Sequence, residues 1–120
     1  MGGQQSNPFG GFYSAYFAGT AGNSFGVFVF KEGLIAGADA GGGKYDGIYE
    51  VSDDGKTITG SVSFIIPIGH QTITGAAATT EPISFDVPIK LPTEINKNEV
   101  FRIETPAGPV NAKFEKIKGF

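Results

Sequence analysis

Apolar residues in this chain come in short runs that alternate with polar ones, and a glycine-bearing turn cuts each run at about the length of one strand. In residues 57–66, Ile58, Val62, Phe64 and Ile66 point one way. Thr57, Thr59, Ser61 and Ser63 point the other, with Ile65 the one apolar exception. Ile83, Phe85, Val87 and Ile89 alternate with Ser84, Asp86, Pro88 and Lys90. Phe101 and Ile103 oppose Val100, Arg102 and Glu104, while Val110, Ala112 and Phe114 oppose Asn111, Lys113 and Glu115. A period of two with one wet face belongs to antiparallel sheet.

The turns fix the order. Lys31-Glu32-Gly33, Asp53-Asp54-Gly55-Lys56 and Pro106-Ala107-Gly108-Pro109 read as hairpin turns, and Gly41-Gly42-Gly43 as a flexible hairpin tip. Residues 93–98 form a polar connection. Eight strands follow, over 11–18, 24–31, 33–38, 44–51, 57–66, 83–90, 99–105 and 110–117. The expected fold is all-β: a single up-and-down antiparallel barrel of about eight strands, the number at which a barrel is filled by side chains or holds one small ligand. Residues 1–10 read as a flexible leader and 11–120 as the barrel domain.

Eleven Phe and four Tyr without Trp predict a core of rigid aromatic and β-branched side chains. So many large rings predict a mostly filled interior. The doubly apolar second strand departs from the wet-face pattern, with Val27 and Val29 on one face and Phe28 and Phe30 on the other. A strand apolar on both faces needs cover on both, so Val27, Phe28, Val29 and Phe30 are the expected homodimer interface.

Chemistry is harder to find. A net charge of −3 with scattered basic residues argues against nucleic acid, and Lys113, Lys116 and Lys118 read as a solvated edge. No apolar stretch approaches the roughly 20 residues of a membrane-spanning helix. Met1-Gly2-Gly3-Gln4-Gln5-Ser6 fits a short myristoylation pattern, but a Gly/Gln leader is the better reading. Zero Cys and a single His70 leave no thiol chemistry and no histidine pair for a metal. His70 lies in residues 67–82, a stretch longer than a hairpin loop that suits a loop or short helical turn over a barrel mouth. Adjacent Asp53 and Asp54 splay apart on a turn, unlike paired catalytic acids. Gly43-Lys44 runs into Tyr45 and a strand, unlike a phosphate loop. No catalytic residues, metal or cofactor are expected.

Three segments carry a family resemblance. Gly11-Phe12-Tyr13-Ser14, the run from Gly26 through Lys31-Glu32-Gly33 to Asp39, and Tyr45-Asp46-Gly47-Ile48-Tyr49 together resemble the GrlR-like family. These are small bacterial proteins named after a negative regulator of type III secretion. The resemblance covers roughly residues 11–66 by motif, and the rest by strand pattern and length alone. It implies a lipocalin-like barrel with an apolar cavity, a cytoplasmic location and dimerisation, while the lack of any acid–base or nucleophile constellation makes a non-enzymatic role the expectation. It also implies regulation by binding another protein, a transcriptional regulator in the enteric case, through an acidic run. Here the matching turn holds only Asp53 and Asp54, and Lys56 departs from the acidic pattern.

Two functions are therefore expected. The first is a bacterial regulator that acts by protein–protein binding, with Asp53 and Asp54 as the partner-binding residues. The alternative is a carrier or sensor of a small apolar ligand, with Tyr49, Phe64, Phe85, Phe101 and Phe114 lining the cavity.

Overall fold

The computed structural model describes residues 9–69, 81–96 and 98–120. These form eight strands: β1 (Gly11–Gly19), β2 (Gly22–Lys31), β3 (Leu34–Asp39), β4 (Lys44–Val51), β5 (Thr57–Ile66), β6 (Ile83–Pro92), β7 (Phe101–Thr105) and β8 (Gly108–Gly119). All belong to one antiparallel sheet in the order β6-β5-β4-β3-β2-β1-β8-β7. The sheet curls until β6 and β7 lie side by side, but no hydrogen-bonded ladder joins them. The result is an up-and-down barrel with one seam. Among the described residues no helix is long and apolar enough to cross a membrane.

Local chemistry explains the seam and the turns. β6 carries Pro88 and Pro92; proline offers no amide donor and is tolerated where a strand edge is left unpaired. Glu32 and Gly33 both have positive φ, 51° and 84°, which is the hairpin geometry that keeps strand twist matched across a two-residue turn.

Alternation assigns the faces. On β2, Phe28 and Phe30 turn inward at 5% and 4% exposure, while Phe25 and Val27 stay on the outside. This corrects the expected dimer interface. Phe28 and Phe30 are core residues packed inside the barrel, and only Val27 and Val29 belong to the outer face.

The interior is filled unevenly. At the end bearing the β2–β3 and β4–β5 turns, Phe9 is fully buried and touches Tyr13, Phe30 and Tyr49, with ring centroids 5.2, 4.7 and 5.8 Å away. The Tyr13 hydroxyl donates to the Phe9 carbonyl at 2.6 Å. Such edge and offset ring contacts each add about 0.5–1.5 kcal/mol beyond area burial. Phe9 falls in the leader by sequence, yet it is the stopper of this end. Thr93 locks the same end, its hydroxyl donating to the Gly55 carbonyl at 2.8 Å and its amide to the Lys56 carbonyl at 2.9 Å.

Gly47 and Gly60 let β4 and β5 coil tightly. A Cβ at Gly60 would run into the Ile48 carbonyl oxygen and come within 3.0 Å of the Tyr49 Cα. Backbone cannot step aside as a side chain can. Gly60→Ala is therefore expected to destabilise the barrel by about 1–3 kcal/mol. Urea unfolding checks this as a lower midpoint with an unchanged slope; an unmoved midpoint contradicts the close approach.

Candidate functional site

Among the described residues, no side chain stoppers the other end of the barrel. A cavity of about 400 Å³ lies beneath the β1–β2, β3–β4 and β7–β8 turns. One wall is aromatic, with Phe17, Phe28, Tyr45 and Phe64 in a chain of ring contacts. Tyr45 stacks on Phe64 at 4.5 Å between centroids and 13° between planes. The rest of the lining comes from β5, β6, β7 and β8 and is mainly aliphatic, including Val62, Val87, Ile89 and Ile103, with Phe85 and Phe114 among them. The interior is thus only partly filled, which corrects the expectation of a mostly filled barrel. The large rings lie in the stopper or against the cavity walls, so their number does not measure their coverage.

Glycines make room for that wall. A Cβ at Gly37 would collide with the Phe28 ring, and one at Gly43 would collide with the Phe64 ring. Each ring therefore lies against bare backbone of a neighbouring strand or turn, and the space a side chain would have taken is given to the aromatic.

Among the described residues the charged group at the rim is Asp39, at the end of β3, with Asn23, Ser24 and Thr105 also in the lining. Its Oδ1 accepts from the amides of Gly41 at 3.0 Å and Gly43 at 2.9 Å. Its Oδ2 accepts from the Tyr45 hydroxyl at 2.7 Å. Gly42, with φ of 88°, lets the chain fold back so that both amides reach the carboxylate. The Gly41–Gly43 tip read as flexible is thus a structured turn closed on a side chain. Burial pushes the Tyr45 phenol well above its usual range, and the hydrogen bond to Asp39 and that residue's charge raise it further. At the closed end, burial, with a smaller contribution from Tyr49, raises Tyr13 to about 12.

The expected cavity residues divide. Phe64, Phe85 and Phe114 line the cavity. Tyr49 does not; it belongs to the stopper with Phe9 and Phe30. Phe101 is half-buried beside Phe114, with centroids 6.1 Å apart, and lies outside the lining. Asp53 and Asp54 are exposed on the β4–β5 turn, at the opposite end from the cavity mouth. Asp54 accepts from the Ser52 hydroxyl at 2.5 Å and the Lys56 amide at 3.0 Å, and those bonds hold its carboxyl below the usual range. The proposed lid and His70 fall on residues 70–80, outside the described residues. No cluster of three or more His, Cys, Asp or Glu is placed to hold a metal among the described residues.

Asp39 and Tyr45 were not singled out by sequence. Their signal is parity: Asp39 shares the inward register of Ile35, and Tyr45 that of Tyr49. A charged residue on an inward register is unusual and marks a site worth inspecting.

No protein-family model matches this chain, and no curated protein matches it significantly.

The raised phenols make stability sensitive to alkali. Tyr13 and Tyr45 hold their protons more tightly folded than unfolded, so stability is full below the unfolded phenol value of about 10 and is lost as pH rises through the Tyr13 value of about 12. The urea midpoint is expected to fall between about pH 9 and pH 11.5, and Tyr45→Phe to make the fall shallower. An equal fall in wild type and variant contradicts the burial of this phenol.

Proposed function

We propose that this protein is a non-enzymatic binding protein that holds a small apolar ligand inside its barrel, as a carrier or sensor. One observation carries the reading: a cavity of about 400 Å³ with aromatic and aliphatic walls, stoppered at one end by the Phe9 ring cluster. Ligand pockets run roughly 300–1,000 Å³ and combine apolar walls with a few placed polar groups. Asp39 supplies such a group at the rim. Nile red is expected to brighten and shift to the blue on binding. Val87→Trp and Ile103→Trp, which fill the cavity from the aliphatic wall, are expected to weaken that binding at least tenfold. Undiminished binding in both variants contradicts the reading.

A second reading is a bacterial cytoplasmic regulator of the GrlR-like type, acting on a protein partner such as a transcriptional regulator of type III secretion. The exposed Asp53-Asp54 turn supports it, since an acidic tip steers a basic partner. So does the apolar outer face. Tyr16 packs on Phe25 with centroids 5.0 Å apart, and Leu34 sits opposite Ile48 at 63% and 62% exposure. With Val27 and Val29 between them, these residues form a band over β1–β4 suited to a homodimer interface. Sedimentation velocity is expected to show a dimer that Val27→Lys converts to monomer; a wild-type monomer at high concentration contradicts the dimer.

A further inference from the structure

Among the described residues no cationic side chain pairs with the Asp39 carboxylate. Arg102 pairs instead with Glu104, both exposed on β7. Lys44, next to the Asp39 turn, lies on the outer face of β4, opposite Ala38 and Ile65. The carboxylate is held by two backbone amides and one phenol, and it borders a cavity whose walls are mostly apolar. A carboxylate offers about four lone-pair sites, and these three bonds leave capacity for one more donor.

We propose that the cavity takes an amphiphile with a cationic amine head, its apolar body lying between the aromatic and aliphatic walls and its ammonium bound to Asp39. The inference rests on the ligand-binding reading above and names the ligand class for that same cavity. An ammonium supplies both a hydrogen-bond donor and the missing opposite charge, and charge-assisted bonds are roughly twice as strong as neutral ones. The Tyr45 hydroxyl oxygen, 2.7 Å from Asp39 Oδ2, offers the same head a second acceptor. A carboxylate head would place like charge beside Asp39, and an alcohol would donate one bond while leaving the charge unneutralised.

Isothermal titration calorimetry at neutral pH with n-decylamine, n-decanol and n-decanoate separates these cases, because the three share one apolar body. Wild type is expected to bind the amine at least tenfold more tightly than the alcohol, with the carboxylate weakest. Asp39→Asn keeps the Oδ1 acceptor for Gly41 and Gly43. It is expected to weaken amine binding at least tenfold and to abolish the preference for the amine over the alcohol. Alcohol or carboxylate binding as tight as the amine in wild type overturns the amine assignment and leaves the ligand-binding reading standing. An amine preference that survives Asp39→Asn does the same. Binding of none of the three probes overturns both.

Discussion

The structure depends on how an eight-stranded barrel is closed at one end. Phe9, Tyr13, Phe30 and Tyr49 meet there in a knot of rings. Phe9 lies just before β1 and is buried completely, so the chain entering the sheet is also the stopper of its lumen. The Tyr13 hydroxyl fixes that entry by bonding the Phe9 carbonyl. The rings at this end meet across the lumen and fill it, whereas those of the other half lie along its walls. The cavity is a consequence of that distribution.

The lining in turn depends on glycine. Phe28 lies over the bare backbone at Gly37, and Phe64 over that at Gly43. Each ring is pressed outward against a strand or turn that lacks a side chain, and so does not cross the lumen. The same turn that carries Gly43 is closed on Asp39, so one hairpin sets both the aromatic wall and the polar rim. Phe64, Tyr45 and Asp39 are a connected unit of stacked ring, phenol and carboxylate. Disturbing any of the three would alter the shape and the charge of the mouth together.

Most of the architecture was legible because a two-residue period and turn residues are local properties. The eight strands match the expected ones to within a few residues, and β4 and β5 match at both ends. What was not legible depends on three-dimensional closure. The sequence presents Phe28 and Phe30 as one apolar face of β2, and only the direction of sheet curvature decides that this face is inside. Phe9 is separated from the first alternating run by two glycines, so no pattern ties it to the core. Tyr49 and Phe114 have the same inward parity, yet one is in the stopper and the other lines the cavity, because height along the barrel is set by strand stagger. Asp39 was hidden by its neighbours: three consecutive glycines suggest a loose tip, and the carboxylate that orders them precedes the run.

The central claim is that the cavity half of the barrel, and not the outer sheet face, receives a ligand. The most direct measurement is methyl-resolved NMR during titration with n-decylamine. The account predicts shifts at Val62, Val87, Ile89 and Ile103, with Ile58 at the stoppered end and Val27, Leu34 and Ile48 on the outside unmoved. Shifts confined to Val27, Leu34 and Ile48 would contradict it and place the binding surface on the outer face of the sheet.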